Sequence, residues 1–259
     1  MLRRVGALSP LFSSSRASRL LNKSAYGLQV RTSFTADMPT EEKRENSFNV
    51  KSPFLAFVLG GPGSGKTTQC SRIAKEFGFT HLCAVELLRR QLVANSEYLN
   101  VILDVLKESR SIPSEVIVKL IQKQMESSGN DKFLIEGFPR NDDNRKVFEK
   151  MVNVEANLVL LLECPEDEMI NRVLYCEEDQ ISESIDSIEK RIDIFYMSSE
   201  PVIDYYTKKG ILHVIDAGGI EDEVFKRVCP FFSAFKTNTG ETEDKVHRLF
   251  ANCKGLGRF

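Results

Sequence analysis

The stretch that decides the fold is LGGPGSGKTTQC, which runs from Leu59 to Cys70. Residues Gly60 to Thr67 fit the pattern G-x-x-x-x-G-K-[ST], in which glycines allow backbone N–H groups to turn inward around phosphate oxygens. The apolar run FLAFVLG precedes this loop, and the helical pattern GKTTQCSRIAKEFG follows it and closes at Gly78. A phosphate-binding loop requires this order of strand, loop and helix. We therefore predict that a phosphorylated ligand binds here, beside the positive end of the helix dipole.

Side chains around the loop predict how the phosphates and a metal ion are held. Lys66 brings a mobile positive charge to the β- and γ-phosphates of a nucleotide. Thr67 or Thr68 can hold Mg²⁺, either directly or through a water molecule. Glu136 ends the apolar strand KFLIEG, where its carboxylate is placed to orient the water molecules of the same Mg²⁺. The predicted metal site therefore consists of Thr67, Thr68 and Glu136.

Apolar runs that alternate with helical patterns indicate an α/β fold. The predicted strands are FLAFVLG, KFLIEG, ANLVLLLEC and ILHVIDA. Their alternation with helices favours a doubly wound parallel sheet of the P-loop type, with helices on both faces. Residues 83–128 are predicted to be helical with breaks near Asn95 and Pro113, and IDSIEKRIDIFYMSSEPVIDYYTKKG is predicted to form two helices split near Pro201. Residues 236–259 are predicted to form a C-terminal tail, mostly loop with a short helix at DKVHRLFAN.

Composition excludes several other classes of protein. The chain of 259 residues has a net charge of −2, but residues 1–34 carry six basic residues and no acid, so the remaining chain has a net charge of −8. An acidic body argues against nucleic acid as the main partner. No apolar run approaches the ~20 residues that a membrane span needs. The six cysteines contain no CxxC pair, so we expect reduced thiols rather than a disulfide framework or a zinc site.

The phosphate-binding loop and a second motif together indicate a family. GGPGSGK, followed by GFPR at Gly137 to Arg140, resembles the motifs of the nucleoside monophosphate kinases, and the resemblance extends over residues 53–235. It implies that ATP is the phosphate donor, that Mg²⁺ accompanies it, and that a nucleoside monophosphate accepts the phosphoryl group. Glu136 stands where the family carries Asp. The positions that the resemblance assigns to ATP are Gly61, Pro62, Gly63, Ser64, Gly65, Lys66, Thr67, Thr68 and Gly219.

The resemblance also predicts the site of the accepting monophosphate. It places the phosphate of this substrate under Arg140 and Arg89, the latter in the segment CAVELLRRQL of a helical insertion at residues 83–113. Lys66, Arg140 and Arg191 are implied as the catalytic residues. The positions that the resemblance assigns to the monophosphate are Arg89, Arg110, Ser111, Ile112, Gly137, Phe138, Pro139, Arg140, Asn144 and Arg191.

Three positions favour a pyrimidine as the accepted base. Adenylate kinases usually carry Thr, Thr and Gln where this chain has Ala84, Asn141 and Asn144, and the latter set resembles the UMP-CMP kinases. An Asn amide offers both donors and an acceptor, so it can meet a pyrimidine edge where the longer Gln would meet adenine. We expect UMP and CMP as acceptors, with dCMP as a further candidate, and a monomeric protein. Adenylate kinase activity, and a role for Asn144 as a mere helix cap, stay open as alternatives.

The lid is where this chain departs from the family. The lid at residues 175–184 lies in LYCEEDQISES, whereas the family's lid carries two arginines and an Asp-Asp pair. Gln180 stands where the second arginine belongs, and the first falls on Leu174 or Cys176, although Arg191 matches a third family arginine. An arginine on the transferring phosphoryl group can be worth roughly 10³–10⁵ in rate. A catalytically weak or inactive nucleotide-binding homologue with a regulatory role is therefore the alternative hypothesis, and Arg172 is a candidate substitute.

The composition of the N-terminal region predicts a targeting signal. Residues 1–34 are rich in Arg and Ser and free of acids, which is typical of an organelle transit peptide. Residues 35–52 are a polar linker. We expect the mitochondrion, or a plastid, as the location. The alternative is a disordered basic extension on a protein of the cytoplasm and nucleus, the usual location of the family.

Overall fold

One sheet of five parallel strands organises the computed structural model, which describes residues 53–94, 98–107, 112–175 and 184–235. The strands are β1 (Phe54–Gly60), β2 (Thr80–Cys83), β3 (Lys132–Glu136), β4 (Leu158–Glu163) and β5 (Leu212–Asp216). They lie in the order β2-β3-β1-β4-β5, and every neighbouring pair is parallel. The strand order reverses beside β1, and ligands of such sheets bind in the crevice at that point.

Helices cover both faces of the sheet, which confirms the predicted doubly wound fold. The helices are α1 (Lys66–Phe77), α2 (Ala84–Val93), α3 (Leu99–Lys107), α4 (Ser114–Ser127), α5 (Asp142–Val152), α6 (Glu166–Leu174), α7 (Ile185–Lys209) and α8 (Glu221–Val228), followed by a 3-10 helix (Cys229–Phe235). No helix among the described residues combines the length and the apolar composition that crossing a lipid bilayer requires.

Alternating side chains of the central strand supply two separate cores. Leu55, Phe57 and Leu59 pack among residues of α2, α4, α5 and the C-terminal part of α7. Ala56 and Val58 pack among residues of α1, α6, α8 and the 3-10 helix on the other face. This period of two is the geometry of a strand that is buried on both sides, and it explains why FLAFVLG is apolar without interruption.

The edge strand β2 corrects the sequence prediction, which identified four strands and began the helical segment at residue 83. Cys83 is the last residue of β2, and α2 begins at Ala84. The strand was missed because THLC contains two polar residues, and an edge strand with β3 as its partner needs no continuous apolar run. The predicted breaks near Asn95 and Pro113 are confirmed, since α2 ends at Val93 and α4 begins at Ser114.

The predicted break at Pro201 is wrong, because α7 continues through this residue. Proline removes one N–H from the helix and leaves the carbonyl of Met197 without its usual partner. Pro201 and Met197 both lie on the exposed side of α7, where water can bind that carbonyl. Buried Val202 and Tyr206 hold the following turns against the core.

Candidate active site

The phosphate-binding loop connects β1 to α1 in a backbone shape that needs glycine. Gly63 has φ of +72°, and a Cβ atom at this position would lie 2.3 Å from the backbone oxygen of Met169. Gly65, with φ of +81°, is the N-cap residue that directly precedes α1. The loop therefore passes directly over α6 and directs the free N–H groups at the start of α1 toward the crevice, as an anion site requires.

Lys66 folds back over this loop. Its Nζ donates hydrogen bonds to the backbone oxygen of Gly61 at 2.6 Å and to Ser64 Oγ at 3.2 Å. Burial lowers the pKa of Lys66 to about 8, an effect that the nearby carboxylate of Glu136 opposes and the charge of Arg140 reinforces. Burial therefore disfavours the charged form of Lys66 in the free protein, and a bound phosphate would favour that form.

Glu136 and Thr67 lie together, as predicted for the metal site. Thr67 Oγ1 donates to Glu136 Oε1 at 2.6 Å, and His81 Nε2 lies 2.8 Å from Glu136 Oε2. Burial disfavours the charged form of Glu136, but hydrogen bonds from His81 and Thr67 keep its pKa below the ordinary value. Sequence reasoning missed His81, because its place beside Glu136 follows only from strand β2.

A separate cleft of about 200 Å³ opens beside the start of α1. Its lining residues are Ser64, Gly65, Thr68, Gln69, Arg172, Ala217, Gly219, Glu221 and Val224. Four predicted ATP positions, Ser64, Gly65, Thr68 and Gly219, therefore meet here, whereas Thr67 and Glu136 do not line the cleft. Thr68 is the member of the predicted metal site that the geometry does not bring to Glu136.

Arg172 forms one wall of this cleft. Its guanidinium donates to Glu168 Oε1 at 2.5 Å, to the backbone oxygen of Gly219 at 2.8 Å and to that of Ala217 at 3.1 Å. The side chain thus ties α6 to the loop between β5 and α8. Its Nη1 also donates to the backbone oxygen of Gly63 at 3.4 Å. The direction that the sequence left open is therefore toward both the β5–α8 loop and the phosphate-binding loop, where the charge of Arg172 is already engaged.

Two of the three predicted catalytic cations, Lys66 and Arg140, have pKa values that a neighbouring cation lowers. Arg140 follows the end of β3, and desolvation together with the positive charge of Arg191 lowers its pKa, while Cys83 opposes this change. Arg140 in turn lowers the pKa of Lys66. These effects mean that Arg140 lies close to both of the other cations, which is the arrangement of a site for a strongly anionic ligand.

Asn144 is buried behind Arg140. Its Oδ1 accepts a hydrogen bond from the backbone N–H of Arg140 at 3.2 Å, and its Nδ2 donates to Ser114 Oγ at 2.7 Å. The helix cap is Asn141, whose side chain accepts from the N–H of Asn144. Asn144 itself bonds back to the residue before this cap, so the alternative that it only caps or decorates the helix start stays open. The amide keeps one unused donor and one unused acceptor position.

Other predicted site residues have different surroundings. Phe138 and Pro139 are buried, and Phe138 packs against Phe57 and Phe148 in the core, so it positions the motif from below. Arg89 is exposed on α2. Ile112 is partly buried against the core beside α4.

Several predictions concern residues outside the described part of the chain. They are Arg110, Ser111, the lid positions Cys176 and Gln180, the leader 1–34, the linker 35–52 and the tail 236–259.

We expect Gly63→Ala to damage both stability and nucleotide binding, because the new Cβ would meet the Met169 backbone. Gly210→Ala is the matched control, since Gly210 has φ of +74° but no atom within 4 Å of an added Cβ. The control should cost about 1–2 kcal/mol for the left-handed conformation alone, and Gly63→Ala should cost more. Urea unfolding and calorimetry with Mg²⁺·ATP measure the two effects. Equal stability losses and equal ATP affinities would contradict the assigned clash.

Comparison with known proteins agrees with this geometry. The family model described as adenylate kinase matches residues 58–211. "Probable UMP-CMP kinase 2" of Arabidopsis thaliana is 47% identical over 91% of this chain and 91% of its own length. UMP-CMP kinase of Prunus armeniaca is 47% identical over 90% and 98%, and UMP-CMP kinase of Xenopus tropicalis is 40% identical over 70% and 97%, respectively. The chain therefore belongs to the adenylate kinase family and, within it, to the group of the UMP-CMP kinases.

Proposed function

We propose that this protein transfers the γ-phosphoryl group of Mg²⁺·ATP to UMP or CMP, with dCMP as a further acceptor. The observation that carries the proposal is the pairing of β1 with β3, which brings Lys66 of the phosphate-binding loop and Arg140 of the GFPR turn to one edge of the sheet. There the charge of Arg140 lowers the pKa of Lys66, and the charge of Arg191 lowers that of Arg140. Phosphoryl transfer needs mainly in-line positioning and cation placement. The names of the relatives support the choice of pyrimidine monophosphates.

The donor side of the mechanism uses the loop and its flanking groups. Lys66 exchanges its hydrogen bonds with Gly61 and Ser64 for the β- and γ-phosphate oxygens. Thr67 and Glu136 fit a Mg²⁺ site, because a hydroxyl and a carboxylate oxygen meet there at 2.6 Å and Mg²⁺ prefers oxygen ligands. When bound, Mg²⁺ supplies neutralisation of charge on the β- and γ-phosphates.

The cleft walled by Arg172 and Gly219 is the proposed place of the ATP base and ribose. It begins at Ser64 and Gly65 of the phosphate-binding loop, so a nucleoside attached to phosphates on the loop extends into it. Arg172 fixes the carbonyl groups of the loop from Ala217 to Gly219 and thereby sets the width of this cleft.

The acceptor side uses Arg140 and Arg191 on the monophosphate, with Arg89 approaching from α2. Arg140 is positioned by Asn144, which holds its backbone N–H. In this proposal, the unused donor and acceptor of Asn144 form hydrogen bonds with the base and select it. Arg110, Ser111 and Ile112 complete the base pocket, as the family resemblance implies.

Reduced turnover is the second candidate property. The lid sequence CEEDQIS supplies three acids and no arginine. Arg172 is engaged by Glu168, Ala217 and Gly219, so its charge is committed to the ATP cleft. We propose a slow, monomeric kinase as the main hypothesis and a regulatory nucleotide-binding protein as the alternative.

Arg140→Ala should reduce kcat/KM for CMP at least about 100-fold, because arginines on phosphoryl groups contribute at least that much. Affinity for Mg²⁺·ATP should be unchanged. Arg90→Ala is the matched control, since Arg90 is exposed on α2 and pairs with Glu86, and it should leave kcat/KM unchanged. A coupled assay with CMP, UMP and AMP in turn gives the values. Equal losses in both variants would remove Arg140 from the site.

Asn144→Gln should shift selectivity from CMP toward AMP, because the longer amide reaches further into the base pocket. We expect the ratio of kcat/KM values, CMP over AMP, to fall roughly tenfold, which corresponds to about 1.4 kcal/mol. Ser114→Ala serves as control, since it removes the hydrogen-bond partner of Asn144 but not its amide. An unchanged ratio in the Gln variant would exclude Asn144 from base selection.

The lid should limit turnover. We expect kcat at least about 100-fold below a typical kinase range of about 1–100 s⁻¹. Cys176→Arg together with Gln180→Arg should raise mainly kcat, since these charges act on the transferring phosphoryl group. Glu177→Gln with Glu178→Gln should help at low salt and less at high salt, because screening acts over about 8 Å at physiological ionic strength. Ordinary kinase rates in the unmodified protein would refute the lid hypothesis.

The leader is proposed to direct the protein to mitochondria or plastids. Residues 1–40 fused to a fluorescent protein should enter one of these organelles, because a cationic, acid-free segment is typical of transit peptides. A fusion in which the arginines of residues 1–34 are replaced by glutamine is the control and should stay outside. Diffuse cytosolic and nuclear fluorescence of the unmodified fusion would favour the alternative location.

A further inference from the structure

A group of three metal-binding side chains lies beneath the phosphate-binding loop. Cys70 comes from α1, His81 from β2 and Glu136 from the end of β3, and their ligand atoms all lie within 4.8 Å of one another. Cys70 is 0% and Glu136 5% exposed, while the side chain of His81 is 18% exposed. We propose that these three residues form a binding site for a thiophilic divalent cation such as Zn²⁺.

The ligand set selects this class of cation. A thiolate, an imidazole and a carboxylate are the groups that Zn²⁺ binds, and three protein ligands leave a fourth position open for water. Mg²⁺ prefers an all-oxygen, octahedral shell, so it would use Glu136 but neither Cys70 nor His81. The same carboxylate therefore belongs to two cation sites of different chemistry.

The side chains need only a small adjustment to close around the ion. A tetrahedral Zn²⁺ with usual bond lengths places its ligand atoms roughly 3.3–3.6 Å apart. His81 Nε2 and Glu136 Oε2 are 2.8 Å apart and must separate by about 0.5 Å, whereas the thiol must approach. His81 pairs with Leu134 and Cys83 with Glu136 in the sheet, so His81 and Glu136 are diagonal neighbours on one face.

Charge also balances at this site. Burial, and next the charge of Glu136, raise the pKa of the Cys70 thiol well above its ordinary value, so the free protein carries a neutral thiol there. Binding of Zn²⁺ releases the thiol proton to solvent, and the single proton of His81 moves through solvent from Nε2, where it bonds Glu136 in the free protein, to Nδ1, so that Nε2 can bind the ion. The group changes from a net charge of −1 to 0, and Lys66 nearby meets no excess positive charge.

A consequence follows for the proposed kinase. Thr67 and Glu136 fit the Mg²⁺ site, so a cation held by Cys70, His81 and Glu136 competes for the same carboxylate. Such a cation should inhibit turnover in the presence of excess Mg²⁺. This inhibition rests on the proposed function, whereas the binding itself does not.

Titration of the full-length chain with Co²⁺, in the absence of nucleotide, tests the binding. Co²⁺ replaces Zn²⁺ in such sites, and a thiolate ligand produces a charge-transfer band in the near ultraviolet. We expect this band at one equivalent of Co²⁺, its loss on addition of Zn²⁺, and at least tenfold weaker Co²⁺ binding when Mg²⁺·ATP is present. Absence of the band, or a band that Mg²⁺·ATP leaves unchanged, would overturn the proposal.

Variants identify the ligands. The band should disappear in Cys70→Ser and in His81→Asn but persist in Cys83→Ser, because Cys83 lies near Glu136 yet outside the group of three. A change at buried Cys70 can prevent folding. His81 is partly exposed, so we expect His81→Asn to fold and to test the ligand set in that case. A band that survives in His81→Asn, or that Cys83→Ser removes, would overturn the assignment.

Turnover provides the second readout. The concentration of Zn²⁺ that halves CMP phosphorylation should rise at least tenfold in His81→Asn. A protein that gives the cobalt band but phosphorylates no monophosphate retains the cation site and loses the proposed function. A protein that phosphorylates CMP normally but gives no cobalt band retains the proposed function and overturns the cation site.

Discussion

The parallel pairing of β1 with β3 is the constraint on which the site depends. Val58 lies beside Glu136 in this register, and the N–H of Gly137 bonds to the oxygen of Val58. The phosphate-binding loop and the GFPR turn therefore leave the sheet side by side. Because the carboxyl ends of parallel strands share one edge, the phosphate-binding loop and Arg140 lie at the same crevice. The aromatic contact between Phe57 of β1 and Phe138 after β3 fixes the ends of these two strands relative to each other.

Glu136 connects several elements at this edge of the sheet. One of its carboxylate oxygens accepts from Thr67 of α1, and the other lies 2.8 Å from Nε2 of His81 in β2. The extra methylene of Glu, compared with the Asp that the family carries here, lengthens the reach of this carboxylate toward the neighbouring strand. A carboxylate held from two sides is well oriented for a metal ion and is also exposed to capture by a cation that prefers imidazole and sulfur. The hydrogen bonds that orient Glu136 for Mg²⁺ therefore also orient it for a competing cation such as Zn²⁺.

Local patterns predicted the parts of the structure that short-range physics determines. The strand, loop and helix from Phe54 to Phe77 follow from glycines, apolar runs and one lysine, and the GFPR turn follows from a second motif. Strand β2 escaped notice because an edge strand has one neighbour and tolerates polar residues. Pro201 misled because exposure of the Met197 carbonyl to water makes an interrupted helical hydrogen bond tolerable. The direction of Arg172 and the partnership of His81 with Glu136 depend on contacts between distant segments, and no local pattern contains them.

The position of an arginine, more than its presence, decides what it contributes here. Arg172 lies only four residues before Cys176, yet its guanidinium donates to acceptors of the β5–α8 loop and to Glu168. Those bonds stabilise the wall of the cleft, and moving the group to a phosphate would leave the Ala217 and Gly219 carbonyls without this donor. Arg140 differs, because burial and the charge of Arg191 lower its pKa, so its charged form gains when an anion arrives. The free-energy benefit of phosphate binding therefore concentrates at Lys66 and Arg140, whose charged forms are disfavoured in the free protein.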